Sequence, residues 1–82
     1  MEKQYARNMR LNYKWREGEK EIRVYVGRYL EFIAYRADGR YVIQVCKGGY
    51  AGYWLNAEPE TDEGVIAACK EFYNEHSYSK VA

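Results

Sequence analysis

The chain has 82 residues, a net charge of +1, 30% charged residues and 17% aromatic ones, with Tyr alone contributing ten. That length holds one domain and one core, and folding at this size buries roughly 60% of the surface an unfolded chain exposes. A mean hydropathy of −0.72 and a longest apolar run of only Val65–Cys69 exclude a membrane-spanning helix.

Met1, Tyr5 and Met9 could mark one helical face, but no capping residue precedes them, so residues 1–9 read as an arm or a short helix. Nothing in this stretch has the apolar core of a secretory signal, and the expected location is cytoplasmic. From Arg10 a clean alternation begins. Leu11, Tyr13 and Trp15 alternate with Arg10, Asn12, Lys14 and Arg16, which predicts a half-buried strand with a basic outer side. Residues 17–20 turn the chain. Ile22, Val24 and Val26 then alternate with Glu21, Arg23 and Tyr25 in a second strand. Gly27 permits a bend or bulge before a third strand over residues 28–36.

Asp38-Gly39 between strand residues predicts a two-residue type I′ hairpin, whose central positions both need positive φ. That turn implies a register: Tyr35 opposite Val42, Ala34 opposite Ile43, Ile33 opposite Gln44, Phe32 opposite Val45. One face then carries Leu30, Phe32, Ala34, Tyr41, Ile43 and Val45, a core face. The other carries Tyr29, Glu31, Ile33, Tyr35, Val42 and Gln44, more apolar than a solvated surface needs.

Lys47-Gly48-Gly49 makes the next turn, and Tyr50 to Asn56 reads as a fifth strand with Gly52 as a bulge. Around Pro59, Thr61 is able to cap a helix and the acids of residues 58–63 favour its positive end. Val65, Cys69, Phe72 and His76 then recur at helical spacing, widened by Ile66 and Tyr73. The expected domain spans residues 1–82: an antiparallel meander of four or five strands over 10–56, then one helix over 60–77 packed on one sheet face. This is an α+β two-layer unit.

The residues that carry chemistry are sparse. The only histidine, His76, lies late in the helix, where a protonated imidazole suits the dipole, and Cys69 lies seven residues before it. Seven residues separate them by about 10 Å along a helix axis, too far for one tetrahedral metal ion. Ser77 and Ser79 lie in the polar tail, a poor position for a rigid nucleophile. Cys46 and Cys69 are expected to be two reduced thiols. The glycines of Lys47-Gly48-Gly49-Tyr50-Ala51-Gly52 fit no phosphate-loop spacing and precede a strand instead of a helix. The expectation is no catalysis, no metal and no small-molecule cofactor.

Charge is distributed unevenly. Residues 1–57 carry 11 Lys/Arg and 6 Asp/Glu, a net +5, while residues 58–82 carry 2 and 6, a net −4. A basic sheet therefore joins an acidic helix. On the uncovered sheet face, Arg23, Tyr25, Tyr29, Ile33, Tyr35, Arg40 and Val42 form the candidate protein-binding set, since Tyr and Arg bury much area and hydrogen-bond at their tips. The partner would be another protein, or a second copy in a homodimer. The alternative is nucleic acid held by Arg10, Lys14, Arg16, Arg23 and Tyr25, with rings stacked on bases and cations on phosphates. Glu31 and Gln44 within the patch, and an isoelectric point near 7.7, favour protein over polyanion.

In layout alone, several strands followed by a C-terminal helix resembles the single-stranded-DNA-binding transcriptional coactivators, which dimerise through that helix. In size and class the chain also resembles phage-encoded inhibitors of bacterial defence systems, which occlude a surface on a larger complex. The second resemblance implies an inhibitor or adaptor of a larger assembly.

Overall fold

A computed structural model of the protein describes residues 9–76; residues 1–8 and 77–82, and the side chains of Arg16 and His76, lie outside the described part. The expected arm or short helix falls outside it, except for Met9, which opens the first strand. Four strands, β1 (Met9–Arg16), β2 (Glu19–Val26), β3 (Tyr29–Ala37) and β4 (Arg40–Val45), pair antiparallel in chain order. One helix, α1 (Asp62–His76), follows.

Each hairpin turns on two residues. Glu17-Gly18 and Asp38-Gly39 have positive φ at both positions (54° and 82°, 53° and 80°), the type I′ pattern. At Gly27-Arg28 only the glycine is positive, at 65°, as a type II′ turn requires. The β3–β4 pairing is the one implied by Asp38-Gly39, with Tyr35 opposite Val42 and Phe32 opposite Val45.

The register between β2 and β3 slips once. Val24 pairs with Phe32 but Tyr25 pairs with Leu30, leaving Glu31 as an extra residue. This bulge breaks the alternation at the start of β3 and corrects two placements. Leu30, expected on the core face, stands opposite the outer-face Tyr25. Tyr29, expected on the outer face, stands opposite the buried Val26.

The fifth strand is also corrected. A 3₁₀ turn over Gly48–Tyr50 and a left-handed Gly52 (φ 90°) consume the residues that would have extended it. What remains is one bridge, Gln44 to Trp54, plus a chain that runs back along β4. The Gly52 N–H donates to the Val45 carbonyl (2.7 Å), Val45 N–H to Tyr53 (2.8 Å), Leu55 N–H to Ile43 (2.9 Å) and Tyr41 N–H to Pro59 (2.8 Å). The open side of β4 is thereby covered.

The helix begins where its cap is. The Thr61 hydroxyl accepts the Gly64 N–H at 3.0 Å, and the Thr61 carbonyl accepts the Val65 N–H, the N-cap arrangement. A Cβ on Gly64 would sit 2.6 Å from the Pro59 Cβ. The glycine that looks costly for a first helical turn is what lets the preceding segment pass this closely. Asp62 then ties the helix to the sheet. Its carboxylate accepts hydrogen bonds from the Tyr13 hydroxyl (3.0 Å, from β1), the Lys20 ammonium (3.1 Å, from β2) and the Tyr41 hydroxyl (3.0 Å, from β4). Burial works to raise its pKa, but these donors prevail and hold the carboxyl below its ordinary value.

Val65 and Cys69 enter a core with Ile22, Val24, Phe32, Ala34, Tyr41, Ile43 and Val45. The ring of Phe72 meets Phe32 edge-on at 6.1 Å and stacks on Tyr53 at 5.7 Å. Both cysteines are free, and burial pushes the Cys69 thiol well above its usual range.

Candidate protein-binding face

Residues directly opposite in an antiparallel sheet share a face, so the pairings define the outer surface in rows. One row runs Lys14, Glu21, Tyr35, Val42; the next runs Asn12, Arg23, Ile33, Gln44 and, across the bridge, Trp54. Arg10 and Tyr25 begin a third. Tyr25, Ile33, Tyr35 and Val42 are half-buried there, opposite the face that α1 covers.

Of the seven expected residues, Ile33, Tyr35 and Val42 form the middle of this face, and Tyr25 and Arg23 flank it on β2. Tyr29 is separated from them by the bulge; it is 57% exposed, with the Lys47 ammonium 3.2 Å from its ring centre. Arg40 stands at the rim, its guanidinium donating to Glu58 at 2.9 Å. Arg23 is engaged as well. Its Nε donates to Glu21 at 2.9 Å, an acid only 4% exposed although it lies on the uncovered face. The hydrogen bond to Glu21 raises the pKa of Arg23. Arg10 lies over the Tyr25 ring at 5.0 Å and donates to the Gly27 carbonyl.

Trp54 was not among the expected residues. It is 48% exposed, and its ring centre lies 6.1 Å from that of Tyr35. The signal that could have found it is the alternation of Tyr53 and Leu55 with Trp54. Leu55 packs against the core and Tyr53 stacks on Phe72 of the helix, so a single pairing with β4 sends the tryptophan to the outer side.

The nucleic-acid set is assembled differently. Strand order does put the basic stripe of β1 beside Arg23, through the Asn12–Arg23 pair. However, Lys14 faces Glu21 and Arg16 faces Glu19 in the same register, so acids interleave with the bases; the Arg16 side chain itself lies outside the described residues.

A groove of about 300 Å³ opens on the other side of the molecule, lined by Tyr53, Leu55, Ala68, Phe72, Glu71 and Glu75, below or at the small end of drug-sized ligand sites. Among the described residues no three His, Cys, Asp or Glu side chains gather in a metal-binding arrangement, and no helix is long and apolar enough to cross a membrane. Comparison of the chain with protein-family models, curated proteins and solved structures found no match.

Proposed function

We propose that this is a non-catalytic binding protein whose outer sheet face recognises another protein. More particularly, it acts as an inhibitor or adaptor that occludes a surface on a larger assembly, in the cytoplasm, where free thiols stay reduced. The observation that carries this reading is the half-exposed strip Tyr25, Ile33, Tyr35, Val42 and Trp54 on the face opposite the helix. Such a strip is rich in the side chains that dominate interface energetics, and the hollows beside Tyr35 and Val42, about 180 and 240 Å³, are small for a drug-sized ligand. The ion pairs Arg23–Glu21 and Arg40–Glu58 at its border can hydrogen-bond a partner without adding net charge.

Affinity capture with the wild type and Tyr35→Ala in parallel tests it. The partner recovered by the wild type should bind the variant about 1–3 kcal/mol more weakly, with a melting loss well below that of a core residue. Unchanged affinity, or a melting loss of the size seen for core residues, would defeat the reading. Light scattering distinguishes a separate partner from a homodimer. A second reading, nucleic-acid binding, is favoured by the adjacency of Arg10 and Lys14 to Arg23 and Tyr25. It predicts affinity that falls steeply with salt, and a filter-binding titration with no complex at low salt dismisses it.

A further inference from the structure

The two edges of the sheet are finished differently. On β4, residues 52–59 make four hydrogen bonds to outward backbone groups of Tyr41, Ile43 and Val45. On β1, the two-residue turn makes Arg16–Glu19 a hydrogen-bonded pair, so Lys14, Asn12 and Arg10 also bond to β2. The N–H and C=O groups of Leu11, Tyr13 and Trp15 therefore point away from the sheet, and no backbone hydrogen bond among the described residues reaches them. β1 pairs with β2 over eight residues with no slip, and it contains no proline. A regular, unbulged edge of this length is a template for another strand.

The side chains of β1 select that strand. Its outer row includes Arg10, Asn12 and Lys14, and its other row is Leu11, Tyr13 and Trp15, with Trp15 70% exposed. A second copy pairing β1 to β1 with like faces aligned would set bases against bases, which opposes self-association. The strand already beside β1 shows the complement: β2 places Glu21 opposite Lys14 and Glu19 opposite Arg16.

We infer that the open edge of β1 receives an antiparallel strand from an acidic protein partner, with carboxylates alternating with apolar residues. The carboxylates lie along Arg10 and Lys14 on the outer face, and the apolar residues lie beside Leu11, Tyr13 and Trp15. The inference builds on protein recognition as the function, but it uses the edge and not the Tyr35 strip.

The test uses labelled ten-residue peptides and the full chain. A peptide alternating Glu and Val should bind and slow amide exchange at Leu11, Tyr13 and Trp15. The same peptide with Lys for Glu should bind about tenfold more weakly or worse. N-methylation of its valines, whose N–H groups would donate to β1, should abolish both binding and protection. Lys14→Glu, checked for folding by its melt, should favour the Lys peptide. Absence of protection at those three amides, equal binding of the Lys peptide, or undiminished binding of the N-methylated peptide each overturns the inference. Tyr35→Ala should bind the Glu peptide as the wild type does. Failure of the peptide series therefore leaves the strip reading intact, and failure of the Tyr35→Ala capture experiment leaves the edge intact.

Discussion

The two faces of this sheet begin from similar alternations and reach different physical states. Beneath α1, Ile22, Val24, Phe32, Ala34 and Ile43 are sealed from water. On the other side, Ile33, Tyr35 and Val42 are only half-buried, shielded by neighbours such as Trp54. Among the described residues one α-helix, α1, is set against two apolar sheet faces. Residue type alone does not decide burial: Ile33 and Ile43 lie on the same hairpin, on opposite sides of one pleat.

The largest expected effect would test that contrast directly. Phe32→Ala should cost about 3–5 kcal/mol, because it empties a site packed against Phe72. Tyr35→Ala should cost about 1 kcal/mol, since its ring is already partly in water. Urea titration of both variants measures the gap; equal losses would mean that the outer face is as much a core as the inner one.

Next comes Asp62, which fastens the helix to the covered face. Asp62→Asn should lower stability at neutral pH, since the amide loses the charge that pairs with Lys20 and keeps one oxygen to accept from Tyr13 and Tyr41. The pH dependence has a definite sign. A carboxyl whose folded pKa is depressed contributes stability that is full above its unfolded value, about 3.9, and is lost as pH falls through the folded one. The wild-type advantage over Asp62→Asn should therefore shrink from pH 5 downward, and denaturant melts at pH 7 and pH 3 would detect it. An unchanged gap at pH 3 would deny Asp62 this role.

The smallest effect sharpens how the helix arrives on its face. Gly64→Ala should gain up to about 1 kcal/mol from helix propensity, yet the added methyl meets Pro59 at 2.6 Å. The net result should be a loss of about 1 kcal/mol, because a rigid ring must move to admit the methyl. A thermal melt showing stabilisation would mean that residues 59–61 yield freely.

How much of this was legible follows from which signals are local. Asp38-Gly39 implied the whole β3–β4 register, because a two-residue turn with positive φ leaves only one way for the flanking strands to pair. Thr61 announced the helix start, since a cap acts on an N–H three residues away. Tyr29 and Leu30 were misplaced because the bulge at Glu31 carries no glycine or other mark, and one unpaired residue reverses the alternation on one side of it. Trp54 was missed for a related reason: its face depends on a single bridge to Gln44, formed by a segment that local pattern described as a whole strand.

By itself, then, the order of residues determined the class of fold, the strand and helix succession and the central hairpin, because turn dihedrals, alternation and capping each act within a few residues. Tertiary structure decided which carboxylate gathered Tyr13, Lys20 and Tyr41, which glycine was needed for passage beside Pro59, and which edge of the sheet was closed. The Asp62 contacts join residues 21 to 49 positions apart, and the closed edge and the passage beside Pro59 depend on how residues 45–64 lie against β4; no alternation, turn or cap signal encodes either.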